Sequence, residues 1–161
     1  MTTSSNERRY WDSTNWISLV AEDEPERADT CQRILEDVSG GAGLIIISAL
    51  TLAEVIGKRG WPKLDESAEE TIARFFENSY VAVHDVTRAI AGEARRLSRR
   101  YDIHQPNDAI HLATALAANA DVFETYNTND FRHLGPDFPL EVREPLWQGN
   151  LRMDLGTSPT S

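Results

Sequence analysis

Short apolar runs alternate along the chain with longer segments whose apolar residues recur at helical spacing. The clearest run, LIIIS at 44–48, has the length and composition of a strand buried on both faces. Strands are also predicted at 9–12, 80–86, 121–127 and 140–144. Since strands and helices alternate, the pattern predicts an α/β fold in which helices cover both faces of a mainly parallel sheet of about five strands.

The segments between the strands carry helical patterns with recognisable ends. The segment 25–41 places small and apolar residues on one face and finishes in a glycine pair. The segment 49–60 is predicted as one helix, with Ser48 as its N-cap and Gly60 as its end. Further helices are predicted at 14–23, 64–79, 87–101 and 107–120, and a turn at 128–134.

Length and composition indicate one soluble domain. The chain has 161 residues, 40% of them hydrophobic and 26% charged, and its single cysteine, Cys31, has no internal disulfide partner. No apolar run reaches the roughly 20 residues of a membrane span, so we expect no membrane role. The expected location is the cytoplasm. The expected organisation is a flexible N-terminus at 1–8, a folded domain at 9–145 and a flexible tail at 146–161.

The formal net charge of −10 argues against simple electrostatic binding of nucleic acid, which usually needs a basic face. Nucleic acid as a substrate is still compatible with this charge. A site built from carboxylates is acidic until a divalent cation fills it, and the cation then contacts phosphate.

Four acids fall where a parallel sheet collects its functional residues, at the carboxyl ends of the strands. Asp12 follows the first strand, and Glu54 lies about two turns into the helix after LIIIS. Asp108 begins the helix that leads to the fourth strand, and Asp130 lies just beyond that strand. Carboxylate oxygens are the ligands that Mg²⁺ and Mn²⁺ prefer, so these residues predict a hard-metal site.

The motifs around these acids resemble those of PIN domains, most closely the VapC-type toxins of bacterial toxin–antitoxin pairs. The motifs YWDSTNW, SALTLAEV, PNDAIHLATAL and TYNTNDF occur in the family's order and approximate spacing, within residues 9–145. The resemblance implies a three-layer PIN-like fold and a metal-dependent ribonuclease. It also implies an RNA substrate, a cognate antitoxin protein as partner and a homodimer.

By this resemblance, Asp12 is the first-strand metal ligand and Asp108 the main ligand at its helix start. Glu54 holds the Mg²⁺ or Mn²⁺ ion, or a water bound to it, and Asp130 is the fourth acid. The implied reaction is hydrolysis of an RNA phosphodiester by a metal-activated water, which leaves 5′-phosphate and 3′-hydroxyl ends.

Two positions remain open between neighbouring residues. Either Thr14 or Asn15 places a polar group near the metal water. The fourth site residue is Asp130, or else Asn127, whose amide binds a hard cation less well than a carboxylate does. Asp130 is the preferred choice, with Asn127 as a residue that orients water or phosphate.

Ordinary structural roles compete with each of these functional ones. Asp108 could simply favour the helix dipole, and Asp12 or Asp130 could cap the turn that follows. Glu54 could close a capping box with Thr51, although Ser48 is the better cap. His111 lies on the Asp108 side of its helix, and in the absence of an evident partner a packing role is expected for it.

The basic helix at 87–101 offers a possible RNA contact through Arg95, Arg96 and Arg99. The competing interpretation is a solvated helix face on which Glu93 pairs with nearby arginines.

Two other functions remain open. One is a non-catalytic PIN-like module that binds RNA or protein. The other is a different Mg²⁺-dependent phosphoryl-transfer hydrolase, although the first motif reads DST where a phosphatase of that kind would read Asp-x-Asp.

Overall fold

The computed structural model describes residues 6–21 and 23–149, which form an α/β domain. In chain order the elements are β1 (Arg8–Trp11), α1 (Ser13–Val20), α2 (Pro25–Ser39), β2 (Leu44–Ser48), α3 (Ala49–Glu54), α4 (Glu66–Phe76), β3 (Val81–His84), α5 (Arg88–Tyr101), α6 (Pro106–Ala117), β4 (Val122–Glu124), a 3₁₀ helix (Thr128–Leu134) and β5 (Glu141–Arg143).

The sheet has five strands in the order β3-β2-β1-β4-β5, and every neighbouring pair is parallel. The central strand β1 pairs with β2 on one side and with β4 on the other. The chain therefore reverses its direction of travel across the sheet at β1, and such a switch point is where open α/β sheets place their sites. The predicted fold class is confirmed.

The alternation of side chains along the central strands divides the core into two layers. Tyr10 and Ile46 face a cluster that α5 and α6 cover, whereas Trp11, Ile45 and Ile47 face a second cluster with α1, α2 and α4. Because both faces of the sheet are buried, β2 is apolar from Leu44 to Ile47 without alternation, as the LIIIS run predicted.

The helix after β2 is shorter than its sequence pattern predicted. Ser48 caps it, with the Leu50 amide donating to the Ser48 hydroxyl over 3.1 Å, but the helix ends at Glu54. Val55 then bridges to Gly57, whose φ of 145° is a conformation that residues with a side chain rarely adopt. Glu54 is consequently the last residue of its helix and does not lie inside a helix that continues to 60.

The expected N-terminal segment ends inside β1, and the expected C-terminal tail begins with residues that contact the domain. Arg8 belongs to β1, because its backbone pairs in the parallel ladder. At the other end, the Leu146 amide donates to Glu124 over 3.1 Å and the Trp147 indole donates to Asp37 over 2.9 Å. These contacts tie the start of the expected tail to the sheet and to α2; residues 1–5 and 150–161 lie outside the described residues. None of the described helices combines the length and apolarity needed to cross a membrane.

A buried cluster of ion pairs connects strands β1, β4 and β5. The side chain of Glu124 on β4 is fully buried and accepts hydrogen bonds from Arg9 at 2.8 and 2.9 Å. It also accepts from the Trp11 indole at 3.0 Å and from Arg143 on β5 at 3.2 Å. Glu124 thus supplies the counter-charge that allows Arg9 to be buried.

Replacing Glu124 by alanine is expected to lower the free energy of unfolding by about 3 kcal/mol, because it removes the buried partner of the Arg9 guanidinium and leaves only Glu7, at 3.3 Å, as its carboxylate partner. Urea denaturation followed by circular dichroism measures the change. The matched control is Glu141→Ala, which removes a largely exposed partner of Arg143 and should cost under about 1 kcal/mol. Similar losses in the two variants would contradict this account of the cluster.

Candidate active site

The carboxyl edge of the sheet carries the predicted acids on elements that meet at the switch point. Asp12 directly follows β1, and Glu54 ends the helix that follows β2. Asp108 lies in the first turn of α6, whose N-terminus is at the same edge. The proximity of Asp108 to the other three acids is evident in its pKa, which Asp130, Asp12 and Glu54 all raise.

Asp12 is buried and is held by hydroxyl groups from two strand ends. Its Oδ1 accepts from the Thr14 hydroxyl at 2.5 Å and from the Thr14 amide at 3.0 Å, so Asp12 is also the N-cap of α1. Its Oδ2 accepts from the hydroxyl of Thr125, beyond β4, at 2.6 Å. The capping role and the site role of Asp12 are therefore compatible.

Thr14 and Asn15 are placed differently. Thr14 contacts Asp12 and also accepts from the Tyr126 amide at 3.0 Å, so its hydroxyl lies in the site. Asn15 is fully buried and donates to the backbone carbonyl of Glu124 at 2.8 Å. Asn15 therefore ties α1 to the sheet, and Thr14 is the residue of the two that faces the acids.

Glu54 is held by residues of α6. Its Oε1 lies 2.5 Å from His111 Nε2, and its Oε2 accepts from the Asn107 amide at 3.3 Å. The other ring nitrogen of His111, Nδ1, lies 2.6 Å from the hydroxyl of Tyr10 on β1. The expectation that His111 has only a packing role is therefore wrong, because a buried imidazole links the central strand to one of the predicted acids.

Asp130 and Asn127, the two candidates for the fourth site residue, are in direct contact with each other. Both are exposed, and the Asn127 amide donates to Asp130 Oδ2. The Asn127 backbone amide in turn donates to the Thr125 hydroxyl at 3.0 Å. Asn127 thus links Asp130 to the residue that holds Asp12, and neither of them caps the 3₁₀ helix with a side chain.

The closeness of the acids is expressed in their electrostatics. Burial and then the charge of Asp130 raise the pKa of Asp108 to about 6. Burial also raises the pKa of Asp12, although the hydrogen bonds from Thr125 and Thr14 oppose that shift. Mutual repulsion between carboxylates in a partly buried edge is the condition that a bound cation relieves.

The donor set fits a hard divalent cation that takes few protein ligands. Within residues 6–21 and 23–149, no three His, Cys, Asp or Glu side chains are grouped so that they could hold a metal ion. Mg²⁺ commonly binds through one or two carboxylates and keeps several waters, so such an ion would need no more protein ligands than a pair such as Asp12 and Asp108. A zinc site built on thiolates is excluded at this edge, since the single cysteine is buried in the core beneath α2.

The three candidate arginines of α5 also separate. Arg95 and Arg99 line a groove between α5 and α6 together with Pro106 and Ala109, the residues that flank Asn107 and Asp108. Arg96 instead pairs with Glu93, at 2.6 Å, on the exposed side of the helix. The groove therefore brings two cations, and not three, towards the N-terminus of α6.

Sequence reasoning missed Thr125 and the contacts of Tyr10 and His111. Thr125 is the first residue after β4, so its position at a strand end beside the NTND segment was an available signal. For Tyr10 and His111 no local signal exists, because the two residues are 101 positions apart in the chain.

The domain has a parallel sheet with carboxylates near the ends of its central strands. It therefore falls in the class of α/β domains that carry acidic residues at the carboxyl edge of the sheet. Within that class the chain belongs to the PIN domain family, whose model matches residues 9–135. No protein with a curated description matches the sequence.

The solved structures that share this fold include toxins and toxin–antitoxin complexes. VapC20 of Mycobacterium tuberculosis, described as a sarcin-ricin loop cleaving toxin, matches with a TM-score of 0.59 and 16% identity, over 76% of this chain and 92% of that one. A toxin–antitoxin complex from Klebsiella pneumoniae matches with a TM-score of 0.58 and 23% identity, over 86% of this chain and 98% of that one. VapBC2 of Rickettsia felis, bound to a DNA fragment from its promoter, matches with a TM-score of 0.58 and 21% identity, over 84% of this chain and 96% of that one.

The raised pKa of Asp108 predicts a pH-dependent stability in chelator. In the folded chain this carboxyl group releases its proton near pH 6, against an ordinary value of 3.8, so the folded state holds more protons between these values. The contribution of Asp108 to the stability of the wild type therefore falls as the pH rises through that window. Asp108→Asn avoids the loss and should gain about 1 kcal/mol over wild type between pH 4 and pH 7, after allowance for solvent screening.

Chemical denaturation at a series of pH values measures this difference. The matched control is Asp29→Asn, at an exposed acid that pairs with Arg33 on α2 and should show no growing advantage with pH. A difference between Asp108→Asn and wild type that stays constant from pH 4 to pH 7 would contradict the assignment.

Proposed function

We propose that the chain is a metal-dependent endoribonuclease that acts as the toxin of a toxin–antitoxin pair. The observation that carries the proposal is the placement of Asp12 and Asp108 at the same carboxyl edge of a PIN-domain sheet, where burial and then the charges of neighbouring acids raise the pKa of Asp108. A non-catalytic module would have no need to keep these repelling carboxylates together at a cost in stability.

Asp12 and Asp108 would hold a Mg²⁺ or Mn²⁺ ion, with Glu54 and Asp130 at the sides of the site. When bound, the ion supplies activation of water and stabilisation of charge on the phosphoryl group. Thr14 and Thr125 fix both oxygens of Asp12, which prevents the carboxylate from rotating. Asn127 holds Asp130 at the rim, where an amide and a carboxylate can orient the RNA phosphate or a water.

RNA would approach along the groove between α5 and α6. Arg95 and Arg99 line this groove next to the turn that carries Asp108, so positive charge leads to an otherwise acidic edge. This arrangement reconciles an RNA substrate with the net charge of −10, because only the local path needs to be basic.

The proposed partner is a cognate antitoxin protein, and the proposed oligomeric state is a homodimer. Toxin, antitoxin and RNA substrate would meet in the cytoplasm. Support for the antitoxin comes from the fold's likeness to proteins solved as toxin–antitoxin complexes. Further support is the exposure of large apolar side chains on and after α3: Leu52 at 44%, Ile56 at 51% and Trp61 at 61%. The three residues fall in one short segment, 52–61, and exposed apolar side chains concentrated in this way suit a surface that a partner covers.

A nuclease assay on total RNA tests the proposal. Wild type is expected to cleave with Mg²⁺ or Mn²⁺ and to be inactive in chelator. Asp12→Asn and Asp108→Asn should each lose at least about 100-fold in rate, because loss of even the residues that support metal ligands costs about 10- to 100-fold. Asp29→Asn, the same change on the surface of α2, is the control and should retain full activity. Cleavage that persists in chelator or in Asp12→Asn would overturn the proposal.

The basic groove has its own test, in an Asp12→Asn background that suppresses cleavage. Arg95→Ala and Arg99→Ala should each weaken binding of single-stranded RNA and lower the slope of log affinity against log salt by about 0.7. Fluorescence anisotropy at several salt concentrations measures both quantities. The neighbouring Arg96→Ala is the matched control, because Arg96 already pairs with Glu93 and does not line the groove. An equal effect of all three changes would indicate a non-specific charge effect and contradict the path.

A further inference from the structure

A buried hydrogen-bond chain runs from the central strand to the acidic edge. Tyr10 is fully buried on β1, and His111 is 2% exposed on α6. The phenol oxygen of Tyr10 lies 2.6 Å from His111 Nδ1, and His111 Nε2 lies 2.5 Å from Glu54 Oε1. Side chains from β1, α6 and α3 are thus linked in one line that ends on a site carboxylate.

The direction of the hydrogen bonds in this chain follows from the chemistry of its members. Tyr10 is fully buried, and a phenol is protonated at neutral pH, so its hydroxyl keeps a proton to donate. A neutral phenol donates to an imidazole nitrogen that has a free lone pair, which makes Nδ1 of His111 the acceptor. The ring proton is then on Nε2, where it is donated to Glu54.

Glu54 is engaged on both of its oxygens. Oε1 accepts from His111, and Oε2 accepts from Asn107 at 3.3 Å. Each carboxylate oxygen has a second lone pair, so Glu54 can still accept a hydrogen bond from water. Shifting Glu54 towards the other acids would stretch its hydrogen bond from a buried imidazole, which is costly. Within residues 6–21 and 23–149, no three His, Cys, Asp or Glu side chains are grouped so that they could hold one ion. An ion held by Asp12 and Asp108 would therefore be reached from Glu54 through a water.

We propose that His111 is a positioning residue: with its ring fixed by Tyr10, it holds Glu54 outside the ligand set of the cation, where Glu54 orients a water beside the ion. This assignment rests on the proposed function and divides the predicted acids into two groups. Asp12 and Asp108 bind the ion, whereas Glu54 acts by accepting a hydrogen bond.

Nuclear magnetic resonance of the histidine ring tests the positioning without metal or RNA. In wild type, long-range ¹H–¹⁵N correlation spectra should show His111 as a single tautomer with its proton on Nε2. Tyr10→Phe and Glu54→Gln should each convert this signal to a mixture of tautomers. Tyr101→Phe is the matched control, since Tyr101 is a half-buried tyrosine that packs against Phe138 in the same core layer. A proton on Nδ1 in wild type would overturn the proposal.

Mn²⁺ binding measured by calorimetry tests the division of the acids. Asp108→Asn should abolish measurable Mn²⁺ binding, whereas Glu54→Gln and His111→Leu should weaken it by no more than about 10-fold, because each change perturbs the surroundings of the ion and removes no ligand. A loss of Mn²⁺ affinity in Glu54→Gln comparable to that in Asp108→Asn would make Glu54 a ligand and overturn the proposal.

Cleavage kinetics then separate a positioning role from a merely structural one. Glu54→Gln and His111→Leu should each lower kcat by about 10- to 100-fold with little change in KM. If His111 acts through Glu54, the double variant should be no slower than Glu54→Gln alone, whereas independent effects would multiply. Tyr10→Phe, which keeps the ring in the core, provides the same comparison if His111→Leu does not fold.

The two proposals fail in different ways. If wild type binds Mn²⁺ but does not cleave RNA, the nuclease function is wrong, while the tautomer and the Mn²⁺ affinities still decide the role of His111. If wild type cleaves RNA and the losses in Glu54→Gln and His111→Leu multiply in the double variant, the nuclease function stands and the positioning role is wrong.

Discussion

The structure depends on the concentration of negative charge at the carboxyl end of one buried strand. Asp12 ends β1, the centre of a parallel sheet, and the strands on both sides deliver the chain to the same edge. A buried carboxylate is tolerated only where donors surround it, and here hydroxyls from the start of α1 and from beyond β4 provide them. The caps and loops at this edge therefore serve one charged group, which explains why local structure and site chemistry involve the same residues.

Two carboxylates of the domain are treated in opposite ways. Glu124, buried on β4, is matched by Arg9 and Arg143 and is thereby neutralised as part of the core. Asp108, half-buried in the first turn of α6, forms no ion pair within the described residues, and burial together with the charge of Asp130 raises its pKa to about 6. The fold compensates charge where the sheet must be stable and leaves it uncompensated where a cation is expected to bind. This contrast, more than the presence of acids, marks the edge as a functional site.

Much of the fold could be predicted because it is encoded locally. The LIIIS strand, the Ser48 cap and the helix before β4 follow from apolar patterns and cap residues, and they are found where expected. The helix after β2 was predicted too long, because helical spacing continues past Glu54 whereas the chain turns at Gly57 to reach α4. Propensity does not specify where a helix must stop to fit its neighbours.

The sequence by itself determined the α/β class, the family resemblance and the set of acids, since each depends on residue type, period and order along the chain. Only the tertiary structure decided how those acids are held. Thr125 meets Asp12 across 113 positions, and His111 meets Glu54 across 57. Such pairs leave no periodic trace, because a single long-range hydrogen bond constrains one side chain and not a pattern. The position of Glu54 at its helix end and its contact with a buried imidazole therefore emerged only when the sheet brought β1, α3 and α6 to one edge.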